Sequence, residues 1–101
     1  MNIICKKLER VYKGVANHRR IEIMFLIDKH NELSLNEISE LIKCNLKTIS
    51  EHTKRLYLAG LVNKRHYGNN VLHSLSPYGD KIYATFKLFL NSQEFENRNK
   101  K

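Results

Sequence analysis

Acidic residues are scarce in this chain: 10 Asp and Glu stand against 18 Lys and Arg in 101 residues, a formal net charge of +8. Such an excess disfavours a neutral or acidic small-molecule site and points to a polyanion, either nucleic acid or an anionic membrane surface. Long apolar runs are missing too. None approaches the ~20 residues of a spanning helix, and the start, MNIICKKLERVYK, turns charged too early for a signal peptide. The basic residues are spread over several segments rather than gathered on one amphipathic helix, which argues against a membrane-surface role. The only two cysteines, Cys5 and Cys44, lie far apart and form no Cys-x-x-Cys, so two reduced thiols in a cytoplasm are expected. There is no Gly-rich phosphate loop, nucleophile–base pair or pair of catalytic carboxylates, so no enzyme is expected. The histidines, His18, His30, His52, His66 and His73, show no i, i+4 pair and no H-E-x-x-H metal signature. Internal repeats are absent.

What is present suffices for one ordinary core: 42% of the residues are hydrophobic, and the length fits a single domain. Ile4, Leu8, Val11 and Val15 recur at helical spacing and predict a first helix over residues 2–13, with Gly14 as its stop. Asn17 is placed to cap a second helix, whose Ile21, Ile23, Met24, Phe25, Leu26 and Ile27 are apolar almost all round and predict the most buried element. Ser34 with Glu37 has the spacing of a capping box and opens a third helix with Ile38, Leu41 and Ile42 on its buried face. After the break at Lys43-Cys44-Asn45, Asn45 caps a fourth helix over residues 46–59, ended by Gly60. Two helices so closely joined form a helix-turn-helix unit. The period then changes: residues 61–67 and 71–75 flank Gly68-Asn69-Asn70 and predict a hairpin. Ser76-Pro77 opens a last helix, lined on one face by Tyr78, Ile82, Phe86 and Phe89. The expected fold is mainly α with a small β-hairpin, in the order helix, helix, helix, helix, hairpin, helix. Residues 1–92 form one domain, and residues 93–101 a polar tail that frays.

The fourth helix carries the chemistry. Ile49 and Leu56 must face the core, which turns Lys47, Ser50, Glu51 and Lys54 outward, with Asn45, Leu46 and Thr48 at the helix start. Short hydrogen-bonding side chains near the N-terminus and cations further along suit a helix in the major groove. Lys47 can bond a guanine edge, Thr48 or Ser50 a base or phosphate oxygen, and Glu51 a cytosine amine. Lys64, Arg65 and His66 cluster on the first hairpin strand, where a basic ribbon can straddle a phosphate backbone. Either element alone reads as a solvated, charged surface; together, in this order, they favour DNA. A protein-interaction module gripping an acidic partner is the alternative. RNA is less favoured, because Tyr67 is the one obvious exposed aromatic for base stacking.

Ala16-Asn17-His18-Arg19-Arg20-Ile21, Leu33-Ser34-Leu35-Asn36-Glu37-Ile38, Thr48-Ile49-Ser50-Glu51-His52 and Ala59-Gly60-Leu61-Val62 together resemble the ArsR-type winged helix-turn-helix repressors over roughly residues 15–76. The resemblance implies a cytoplasmic homodimer, built from the first and last helices, on a palindromic operator in double-stranded DNA, with base contacts on the fourth helix and phosphate contacts on the hairpin. Three positions depart from the family: His18 replaces a frequent Pro, Thr53 a core Leu, and Asn69 a common wing cation. The family's metal sites are not reproduced either. Ser34 and Asn36 stand in place of a Cys-x-Cys pair, and the set Asp80, Ile82, Gln93, Glu96 keeps two carboxylates but neither imidazole, a poor zinc site. No metal and no cofactor are expected. Cys44, in the turn before the fourth helix, reads as a small apolar plug rather than a redox switch.

Overall fold

The computed structural model describes residues 1–100. Its elements are α1 (Asn2–Val15), α2 (His18–His30), α3 (Leu35–Ile42), α4 (Leu46–Leu58), β1 (Val62–Tyr67), β2 (Asn70–Leu75), α5 (Pro77–Leu90) and α6 (Gln93–Arg98). This is the expected order with one short helix added. The helix starts follow from capping chemistry. Asn17 Oδ1 accepts from the N–H groups of Arg19 and Arg20 at 2.9 and 3.3 Å. Ser34 and Glu37 form a complete capping box. Asn45 accepts from Thr48 N–H at 2.8 Å, and Ser76 caps α5 with Pro77 in its first turn. Each such cap stabilises its helix by about 1 kcal/mol.

Three boundaries differ from the sequence expectation. Gly14 does not stop α1; it lies inside the helix, where α1 crosses α4 so closely that a Cβ at position 14 would fall 2.3 Å from Ala59 Cβ. Leu61 belongs to the end of α4 rather than to the strand. Gly60, at φ 80°, lets Leu61 N–H reach Leu56 C=O while its own N–H reaches Tyr57 C=O, a Schellman closure that buries Leu61 completely. The polar tail at 93–101 is not simply frayed. Ser92 caps α6, and Glu94 and Arg98 form an i, i+4 pair at 3.0 Å. Lys101, the last residue of that tail, lies outside the described residues.

The core gathers Val15 of α1, Ile23, Met24 and Ile27 of α2, Ile38 and Ile42 of α3, Ile49 and Leu56 of α4, and Leu33, Leu61 and Val62. As expected, α2 is central: its three core residues have no exposed surface. Thr53, in place of the family's core Leu, is buried with its hydroxyl donating to Ile49 C=O at 2.7 Å, so no polar group is stranded. Phe86 and Tyr83 of α5 pack on Phe25 with ring centroids 5.7 and 5.2 Å away. The hairpin is antiparallel, with Val62 opposite Leu75 and Tyr67 opposite Asn70. β2 is also bonded along its other edge: His73 and Leu33 exchange two backbone hydrogen bonds, at 2.8 and 3.0 Å. The hairpin is thereby tied to the segment leading into α3. Among the described residues, no helix is long and apolar enough to cross a membrane.

Candidate nucleic-acid interface

On α4 the buried stripe Ile49, Thr53 and Leu56 fixes which side chains face out. Lys47, Ser50, Glu51 and Lys54 are all exposed, as the sequence pattern requires. Leu46 is half-exposed in the first turn, and Thr48 is half-buried on the flank. Asn45 is exposed, but its side-chain oxygen is taken up by the cap, so it positions the helix start.

The hairpin lies beside this face. Lys64 Nζ sits 4.3 Å from the centre of the Tyr57 ring, a cation–π contact that joins β1 to the exposed side of α4. His66 is exposed further along the strand. Arg65 has a partner that sequence spacing gave no sign of. Its Nε and Nη2 donate to Glu32 Oε2 and Oε1 at 3.0 and 2.7 Å, a bidentate pair across the α2–α3 connection. Those hydrogen bonds hold the Glu32 carboxyl below its ordinary pKa and raise that of Arg65. Tyr57 and Glu32 are the two residues that sequence reasoning missed. The first was legible, because position 57 falls seven residues after Ser50 and three after Lys54 on one helical face. The second was not, because 33 residues separate the partners.

At the positions of the family's metal ligands, Ser34 is the buried cap of α3, Asn36 is exposed, and Ile82 packs against the core. Among the described residues, no group of three or more His, Cys, Asp or Glu side chains is placed to hold a metal ion. Cys44 is half-buried against the core and Cys5 exposed; both are free thiols.

Three core helices, the second pair closely joined, with a hairpin bonded to their edge, define a winged helix-turn-helix protein. The family profile described as "Bacterial regulatory protein, arsR family" matches residues 17–64. The transcriptional activator HlyU of Vibrio cholerae is 38% identical over 65 residues, 63% of this chain and 58% of that relative's length. The solved structure of V. cholerae HlyU superposes with a TM-score of 0.72 at 31% identity, covering 87% of this chain and 92% of that one. A homodimeric winged helix-turn-helix DNA-binding domain from Mycobacterium bovis shares the fold, with a TM-score of 0.82 at 24% identity over 91% of this chain and 85% of that one. The chain belongs to the ArsR family of bacterial transcriptional regulators.

Proposed function

We propose that this regulator is a cytoplasmic homodimer that reads a palindromic operator in double-stranded DNA and acts as a repressor, without a bound metal. Lys47, Thr48, Ser50, Glu51 and Lys54 meet base edges and adjacent phosphates in the major groove, with Asn45 and Leu46 at the groove entrance. Lys64, Arg65 and His66 hold the backbone outside it. The observation that carries this reading is the exposed stripe of α4 lying beside β1, the two joined through Lys64 and Tyr57. One such face makes too few base contacts for useful specificity, so a second copy is needed, with the two α4 helices about 34 Å apart.

The surface for that pairing is apolar. Ile4 and Leu8 of α1 and Tyr78, Leu88, Phe89 and Leu90 of α5 are each more than half exposed. An open groove of about 550 Å³ runs between the two helices, lined by Ile4, Leu8, Val11, Leu58, Tyr78 and Ile82 and also by Lys7, Arg10 and Lys81, Arg10 being shared with the neighbouring cleft of α1 and α4. Exposed apolar area of this extent marks an association surface, and the homodimeric M. bovis domain offers a precedent. Repression follows when the dimer occupies its operator as a steric block, whereas the relative HlyU is named an activator.

Selection of bound duplexes from a random pool, followed by titration of the winner and of random duplex at several salt concentrations, tests the reading. A two-fold symmetric motif, a steep salt dependence and reduced transcription in vitro are expected. Acidic-protein binding without duplex preference would replace this reading with a protein-interaction module. Light scattering at tens of micromolar should give twice the monomer mass; a monomer with and without DNA counts against the dimer.

A further inference from the structure

A second basic surface lies away from the face just described. α1 and the C-terminal half of α4 flank an open cleft of about 630 Å³, lined by Lys6, Glu9, Arg10, Lys13, Gly14, Arg55, Leu58 and Ala59. Lys6, Arg10 and Lys13 recur at four and three residues along one face of α1, a row about 10 Å long. Arg55 faces them from α4. The single carboxylate of the cleft, Glu9, is engaged with Lys13 at 3.5 Å. Arg20, at the start of α2, extends the row: its Nη2 donates to Lys13 C=O at 3.4 Å, and its guanidinium lies close enough to Arg55 to repel it. Its Nε is buried with no hydrogen-bond partner. Among the described residues no carboxylate pairs with Lys6, Arg10, Arg20 or Arg55. Lys6, Arg10 and Arg55 are exposed and Arg20 is half-buried with its Nε–H unsatisfied, so the cleft presents a solvated row of cations, with one orphaned donor at its end, to an anion.

The position of the cleft says which anion. Arg55 and Tyr57 are two residues apart, so they project from opposite flanks of α4. The hairpin occupies the Tyr57 flank through Lys64, and α1 occupies the other, against Ala59 and Arg55. α1 also bears the apolar surface proposed for pairing, so its flank of α4 is the one nearer the two-fold axis. A linear row of cations beside a recognition helix matches a linear array of phosphates better than it matches a compact solute.

We propose that the cleft between α1 and α4 binds the DNA phosphate backbone between the two half-sites, so that each recognition helix is flanked by cations on both sides: the hairpin outside, the cleft towards the centre. This rests on the DNA-binding reading above and extends the contacted duplex beyond the α4 and hairpin footprint.

Neutral methylphosphonate linkages test it without altering the protein. Starting from the duplex selected by the wild-type chain, one probe carries them in the segment between the half-sites and another at the two outer ends. Both should bind the wild-type protein less tightly and with a shallower salt slope, by about 0.9 per neutralised contact. The Arg10→Gln/Arg55→Gln protein should bind the unmodified duplex with a slope reduced in the same proportion. It should lose sensitivity to the central substitution only. Wild-type binding unchanged by central methylphosphonates overturns the proposal, as does a folded double variant with the wild-type slope. If the wild-type protein binds no duplex at all, the DNA-binding reading itself fails, and this inference with it.

Discussion

Lys47 and Arg65 are both exposed cations, yet their settings differ. Lys47 projects from the first turn of α4 with no ion-pair partner among the described residues, free to reach a base edge. Arg65 is held by Glu32 on the hairpin flank. Lys47→Ala should therefore cost about 1–3 kcal/mol on the selected operator and blur the motif at one position. Arg65→Ala should weaken cognate and random duplexes alike, leaving the motif unchanged. Titration of both variants on both duplexes reads the difference, and unchanged binding in every combination would place the DNA surface elsewhere. His73 gives a pH dependence at the same scale. It is buried, its Nδ1 lies 3.1 Å from Leu33 C=O, and burial lowers its pKa, assisted by Lys64 and opposed by that carbonyl. The folded state then binds the proton less readily than the unfolded chain. The contribution is complete above the unfolded value of about 6.5 and is lost as pH falls from there towards the depressed folded value. His52, also lowered chiefly by burial, acts in the same direction. Thermal unfolding should show a lower Tm at pH 5 than at pH 7.5, with a smaller difference in His73→Asn.

Among the elements, α1 depends most on one small contact. Replacing Gly14 by Ala should favour the helix by about 1 kcal/mol through propensity. It also drives a Cβ to 2.3 Å from Ala59 Cβ, where neither atom can rotate away, and overpacking of this kind costs about 1–3 kcal/mol. The clash should win in the wild-type background and lower the Tm. In an Ala59→Gly background the same change should raise the Tm, because only the propensity gain remains. A double-mutant cycle with no change of sign would mean that α1 does not cross α4 at this point. The example also shows what a sequence conceals. Helix starts at Asn17, Ser34, Asn45 and Ser76 were legible because capping is local chemistry. Gly14 was misread as a terminator, because its reason for being Gly lies 45 positions away at Ala59. α6 was missed because composition, a run of polar residues, outweighed the cap at Ser92 and the Glu94–Arg98 pair. The outward stripe of α4 was legible in full, since helical period and a buried seam determine it. Of the partners of its neighbouring hairpin, Tyr57 lies on that same stripe by spacing, whereas Glu32 comes from tertiary packing alone.

At the scale of the molecule, the proposed absence of metal control is testable directly. Zinc, cadmium or arsenite at modest excess should leave operator affinity unchanged, because Ser34 and Asn36 offer no thiolate and Ile82 and Gln93 no imidazole. A stoichiometric loss of affinity on adding one of them would restore metal sensing. A broader consequence follows from the bonding of His73 to Leu33. That link, with the Arg65–Glu32 pair, fastens the hairpin to the entrance of α3 at two places. Hairpin and recognition helix thus act as the two jaws of a fixed calliper rather than as a hand that closes. On the proposed operator, a base pair inserted within a half-site should leave one jaw off its mark and lower the affinity. In the proposed dimer, spacing between half-sites is a separate matter, set by how far the pairing of α1 and α5 across the two-fold axis yields.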